Sequence, residues 1–224
     1  RSGERNPRRG DKVGLKQRGN EVGSEDGVDA AFEYASYGRP CLGERVSGDV
    51  ALAVAIEQKL LVVLIDVLGH GTEANALAVE MNEYVTNHPI AEPLEMILRL
   101  HERFKGSRGS AGGVAVLDTR TSDVAFAGVG NPSFRVLGPS RSVMLPVSAG
   151  IIGAQMRTPI VHHAQLDAGE LLVGCSDGVA EGFQLNDYPQ MFSHGTWAVA
   201  RTIVHRFGKD YDDATCVVAR RRKS

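Results

Sequence analysis

From Val28 onward the apolar positions fall into short runs of strand character, broken by glycine and polar turns. "AFEYASYGR" (31–39) and "GDVALAVAIE" (48–57) read as strands, and "LLVVLID" (60–66) as a strand buried on both faces. The period then lengthens. Ala74, Leu77, Ala78, Met81, Tyr84 and Val85 follow helical spacing and predict a helix from Thr72 to Asn87, with Thr72 able to cap its start. A second helix fits "EPLEMILRLHERFKG", where Pro93 suits a first turn and Gly106 a stop. Residues 112–130 and 133–146 read as hairpins, the second turning at Gly138-Pro139-Ser140. Strands are expected in "PIVHHAQL" and "GELLVGCSDG". A third helix is expected in "TWAVARTIVHRFG", with Trp197, Ile203, Val204 and Phe207 inward, and a closing strand in "DATCVVARR". Hairpins outnumber strand–helix alternations, which disfavours a doubly wound parallel sheet. The order favours an α+β fold of antiparallel sheets with helices on their outer faces.

Arg1 to Gly27 breaks this pattern, being rich in Arg, Gly and acids and poor in apolar residues. Such a segment buries too little surface to offset its ordering entropy, so residues 1–27 are expected to be a flexible tail ahead of a single domain at 28–224. The chain starts at Arg1 rather than Met, and a further domain ahead of it stays open.

Composition narrows the function classes. With 42% hydrophobic and 23% charged residues in 224, the chain can build an ordinary globular core. A net charge of -2 gives no general reason to expect nucleic acid or an acidic membrane as partner. No apolar run reaches the length of a membrane span. Cys41, Cys175 and Cys216 are widely spaced and odd in number, which argues against a disulfide framework and for a reducing, cytoplasmic setting.

Candidate chemistry gathers at strand edges. Asp49 lies in "RVSGDVALAV", Asp66 in "LLVVLIDVLGHG", Asp177 in "LLVGCSDGVAE" and Asp212 in "DYDDATCVVAR", with Asp213 beside it. One such acid is usually a turn former. Four in matching places, with no Cys–His cluster, point instead to hard divalent cations, which take oxygen ligands. Several aspartates in one cleft repel one another unless cations neutralise them. Asp118 and Asp123 frame "DTRTSD" and read as turn residues. His162 and His163 are neighbours on a strand, so they face opposite ways and do not chelate one ion together.

"IDVLGHGTEA", "GVGNPSFRV", "CSDGVAEGF" and "DDATCVV" stand in an order and spacing that resemble the SpoIIE-type serine phosphatases, the bacterial branch of the metal-dependent type 2C protein phosphatases. "SGDVALAV", "RGSAGG" and "LPVSAGIIG" fit the small stand-alone form of that branch, and the likeness spans Phe32 to Ala219. The resemblance implies an αββα sandwich with two manganese or magnesium ions between the sheets. It implies that Asp66 bridges the ions, that the Val67 backbone carbonyl completes one shell, and that Asp177 and Asp212 hold the second ion. Asp49 would bind directly or through water. A metal-bridging hydroxide would attack the phosphoryl group. The implied substrates are phosphorylated STAS-domain proteins, either a stressosome scaffold or an anti-sigma-factor antagonist. Val67 replaces the glycine that usually follows the bridging acid. His70 is a candidate general acid, with a turn contact as the alternative. Arg45, four residues before Asp49, is a candidate phosphate ligand, with a solvated arginine as the alternative. Asn131 is expected to shape the turn before Pro132 or to contact metal-bound water. Asp213 is expected to orient its loop, and its adjacency to Asp212 leaves their assignment reversible. The polar stretch "EGFQLNDYPQMFSHG" is expected to lie near substrate. A non-catalytic relative that only binds phospho-STAS partners and a small-molecule phosphohydrolase are the competing functions.

Overall fold

A computed structural model describes residues 16–18, 21–28, 31–180, 182 and 188–222. In chain order its elements are β1 (Lys16–Arg18), β2 (Glu21–Val28), β3 (Phe32–Arg39), β4 (Asp49–Ile56), β5 (Lys59–Val67), α1 (Gly71–Asn87), α2 (Pro93–Arg103), β6 (Ser110–Asp118), β7 (Asp123–Val129), β8 (Ser133–Gly138), β9 (Arg141–Leu145), β10 (His162–Gln165), β11 (Leu171–Cys175), α3 (Thr196–Phe207) and β12 (Ala214–Arg221). A 3-10 helix, Pro189–Ser193, precedes α3. Among the described residues no helix is long and apolar enough to cross a membrane.

The strands make two antiparallel sheets, one ordered β1-β2-β3-β12-β11-β8-β9 and the other β10-β7-β6-β5-β4. The uninterrupted apolar run of β5 follows from its place between two layers. Its odd positions, Leu61, Val63, Ile65 and Val67, pack with Met81, Val85, Ile97 and Leu100 of α1 and α2. Its even positions, Leu60, Val62 and Leu64, meet Phe134, Val136, Leu172 and Val217 of the facing sheet. On the far side, Val173, Cys175, Cys216 and Val218 pack against Val199, Ala200, Ile203 and Val204 of α3. The result is helices, sheet, sheet, helix: the αββα sandwich. Each fully buried Leu, Ile or Val stabilises it by roughly 1.5–3 kcal/mol.

Three local expectations differ from the structure. Lys16–Arg18 and Glu21–Val28 lie within the stretch expected to be a flexible tail, yet they form a hairpin whose second strand pairs with β3. A ladder is made by backbone groups, so low apolar content alone does not exclude it. Residues 1–15 lie outside the described residues. The first long helix starts one residue early, at Gly71, and its N-cap is His70 rather than Thr72, without a side-chain cap. Trp197 is 37% exposed rather than inward. The buried stripe of α3 runs through Val199, Ala200, Ile203 and Val204, and Trp197 sits at its border, edge-on to Tyr37 with ring centroids 6.1 Å apart.

Candidate functional site

Strand alternation decides where the acids point. Asp66 has the same parity on β5 as Leu60, Val62 and Leu64, so its side chain faces the gap between sheets where that apolar layer ends. Asp49 opens β4, shares parity with Ala51, and is paired in register with Asp66. From the other sheet, Asp177 follows β11 by two residues and Asp212 precedes β12 by two. Adjacent antiparallel strands place these two loops side by side.

The loops are locked together by polar contacts. Ser176 Oγ donates to Asp49 Oδ2 at 2.8 Å and accepts the Thr215 N–H at 3.0 Å, so one hydroxyl ties the two sheets. Asp213 is buried, and its carboxylate accepts the N–H groups of Cys41 at 2.8 Å and Gly48 at 2.6 Å. Asp213 therefore takes the orienting role, fixing the β3–β4 loop just before Asp49. Lys209 Nζ donates to the Asp177 carbonyl oxygen at 2.5 Å, and the Lys209 N–H donates to Gly178 O at 2.7 Å. Asn131 Nδ2 donates to Asp177 Oδ2. Gly178 has no room for a side chain: a Cβ there would stand 1.8 Å from Asp213 O.

Electrostatics shows that the four acids share one space. Burial, then the charges of Asp49, Asp177 and Asp212, pushes the Asp66 carboxyl up to about 9. Burial raises Asp49 to about 7, against the lowering effect of the Ser176 hydrogen bond and with a further rise from Asp213. Asp212 is also raised, first by burial and then by Asp177. Asp177 lies within hydrogen-bonding reach of both Asp66 and Asp212. Among the described residues, no three acid, His or Cys side chains surround a common point as an ion would require. The mutual raising of the carboxyls, rather than a formed ligand cage, is what identifies the cluster.

The remaining candidates separate. Val67 continues β5 with its side chain buried on the helix side, and its N–H donates to Gly48 O at 3.2 Å. Its φ is negative, since Glu57 alone among the described non-glycine residues has positive φ. His70 is exposed and pairs through Nδ1 with Glu44 Oε1 at 3.1 Å, which latches the β3–β4 loop to the start of α1. Arg45 is exposed in that loop, without a hydrogen bond or ion pair to a described residue. Asp118 and Asp123 serve the β6–β7 turn, where they accept from Arg120, Thr121 and Gln165. His162 and His163 sit on β10, at the opposite edge of its sheet from β4, and alternate in exposure. Of "EGFQLNDYPQMFSHG", residues 181 and 183–187 lie outside the described residues. Sequence reading missed Ser176 and Lys209. The only signal for Ser176 is its place beside Asp177, and Lys209 carries none, since its partner is a backbone carbonyl.

Comparison with known proteins supplies independent findings. The family model for Stage II sporulation protein E (SpoIIE) matches residues 56–222, a span that includes Asp66, Asp177 and Asp212 and leaves out Asp49. The phosphoserine phosphatase RsbX of Bacillus subtilis (strain 168) is 22% identical over 138 residues, which is 61% of this chain and 69% of the relative. A crystal structure of RsbX in complex with magnesium superposes with a TM-score of 0.73 at 20% identity, covering 88% of this chain and 98% of the other. A structure described under "The bacterial stressosome: a modular system that has been adapted to control secondary messenger signaling" gives a TM-score of 0.74 at 24% identity, covering 84% and 99%. At these identities the structural likeness speaks for the fold.

Proposed function

The chain belongs to the SpoIIE family of type 2C-like phosphatases, and from that premise we propose that it hydrolyses phosphoserine or phosphothreonine in proteins with the aid of divalent cations. The carrying observation is the meeting of Asp49, Asp66, Asp177 and Asp212 at one end of the inter-sheet core, with three of them raised by burial and by each other's charge. The donor set fits hard cations, because it is all oxygen and its repulsion is relieved by positive charge. Asp49, Asp66, Asp177 and Asp212 would hold two manganese or magnesium ions, with the Val67 carbonyl as a further ligand. Bound there, the ions supply acidified water and offset charge on the phosphoryl oxygens.

The chain's own residues prepare that site. Ser176 fixes the rotamer of Asp49. Asn131 holds one oxygen of Asp177, leaving the other to a ligand. Asp213 and Lys209 stiffen the two loops so that the acids cannot swing apart. Glu44 engages His70 through Nδ1, so protonation of a leaving group would fall to Nε2.

The substrates we infer are phosphorylated STAS-domain proteins of a bacterial stressosome or partner-switching pathway in the cytoplasm. Support comes from the likeness to RsbX and to the stressosome-associated structure, and from three buried cysteines that are all unpaired. Phosphate release from a phosphorylated STAS protein and from para-nitrophenyl phosphate, with and without manganese, tests the reading. Manganese-dependent release is expected, with a loss of at least about a hundredfold in Asp66→Asn. Binding of the phosphoprotein without any turnover would overturn it in favour of a non-catalytic partner. Faster turnover of nucleotides than of phosphoproteins would redirect it to small molecules.

A further inference from the structure

A cluster of four acids repels a phosphate dianion, so a phosphatase built on it gains from a cationic side chain facing the substrate. The nearby basic residues differ in availability. Lys209 is spent on the Asp177 carbonyl, and Arg39 on Pro40 O, Lys209 O and Asp210. Arg45 extends from an exposed bend, with no hydrogen bond or ion pair to a described residue. Arg108 is both anchored and available.

Its backbone is set by β6. The register pairs Asp66 with Ala111 and Val67 with Ser110, and the next contact outward is Leu68 N–H to Gly109 O at 3.1 Å. Arg108 therefore stands across from Gly69, in the turn that leaves the cluster. Its guanidinium lies over that glycine, with Nη2, Cζ and Nη1 at 3.5, 3.7 and 3.8 Å from where a Cβ would be. The carbonyl oxygen of the same Gly69 is 3.3 Å from the corresponding position on Gly48, the neighbour of Asp49. One turn thus touches the guanidinium on one side and the strand start bearing Asp49 on the other.

The mount is rigid. Ser110 and Ile152 exchange backbone hydrogen bonds of 3.0 and 2.8 Å. Gly109 has φ +85°, and a Cβ there would come within 2.4 Å of Ile151 Cγ2. The side chain itself is lightly used. It makes no hydrogen bond with a described residue, and its ion pair is a 3.7 Å contact with Glu73, whose side chain is 90% exposed. An exposed pair of that length contributes little. Apart from that weak pair, no described residue engages its five donors, a planar fork matched to phosphate geometry.

We propose that Arg108 binds the phosphoryl group of the substrate. This rests on the phosphatase reading and adds the residue that recognises the anion. The test compares wild type, Arg108→Ala, Arg108→Lys and, as control, Arg103→Ala, whose guanidinium stacks on Phe104. KM and kcat for para-nitrophenyl phosphate with manganese, the inhibition constant of orthophosphate, and manganese affinity by calorimetry are measured on each. Arg108→Ala is expected to raise KM and the orthophosphate constant together by about tenfold, with manganese affinity held within about twofold. Arg108→Lys keeps the charge without the fork and is expected to fall between, and Arg103→Ala to match wild type. Equal KM and equal orthophosphate constants in Arg108→Ala overturn the proposal, as does a loss of manganese binding in step with KM, which would mark a structural role. If wild type hydrolyses nothing, the phosphatase reading fails by itself. Orthophosphate binding by calorimetry then decides Arg108 on the same criterion. If Arg108→Ala melts early, Arg108→Lys is read in its place.

Discussion

Asp66 sits where the apolar layer between the sheets ends, and its carboxyl is raised to about 9 by burial and by Asp49, Asp177 and Asp212. An unfolded aspartate titrates near 3.9. The folded state therefore keeps a proton that the unfolded state releases. That contribution to stability is complete below the unfolded value and is lost as pH climbs toward about 9. Asparagine keeps the shape and removes the charge. Asp66→Asn is accordingly expected to gain about 1–3 kcal/mol in the metal-free protein at pH 8 while losing hydrolysis. Thermal melting in the presence of a chelator checks this, and an unchanged or lower midpoint would show that the buried charge is not a burden. The identity of this acid is legible in sequence, since a single carboxylate ends the run of large apolar residues at 60–65. Its company is not, because Ser176, Asn131 and Lys209 reach the cluster through contacts across 127, 46 and 32 residues of chain.

At the scale of elements, the site depends on two loops from neighbouring strands, β11 and β12, lying against each other. Gly178 is where they touch. With Asp213 O only 1.8 Å from a would-be Cβ, Gly178→Ala must push the loops apart. A loss of at least about 2 kcal/mol and of most activity is expected, against a change within about 0.5 kcal/mol for Gly182→Ala, where a Cβ would meet no described residue within 4 Å. Urea denaturation of both variants measures the contrast, and equal effects would show that the contact yields easily. Most elements are legible from period and turn residues. The misplacements come from partners outside the local pattern. Trp197 is drawn to Tyr37 at the border of its stripe. The start of α1 is set by the turn at Gly69 to Gly71 and by the Glu44–His70 latch, rather than by a capping hydroxyl. The β1–β2 hairpin exists because the edge of β3 offers it a backbone ladder.

For the molecule as a whole, three raised acids make the metal-free protein lose stability as pH rises from the unfolded carboxylate range through about 7 and on to about 9. A dication that replaces the shared protons reverses this, because it binds the deprotonated folded cluster and not the unfolded chain. The rise in melting temperature on adding manganese is therefore expected to grow between pH 5.5 and 8.5, and to vanish in Asp66→Asn. Differential scanning calorimetry with and without manganese gives the comparison, and a rise independent of pH would locate the ion away from these acids. The same buried end of the sandwich sets stability against charge on the acid cluster. The layers that hold the fold together also remove water from the carboxylates.

The layered α+β fold, the strand that runs through both cores, and the acids at strand ends are determined by the sequence itself. Period and composition are local properties, and burial follows from them. Tertiary structure decided which acids meet, that Asp213 supports the loop beside Asp212, that His70 is held by Glu44, and that Arg108 rather than Arg45 is held against the turn beyond Asp66. Those outcomes depend on register between distant strands and on backbone carbonyls and N–H groups as partners. Every residue carries such groups alike, so no pattern of side chains along the chain announces them.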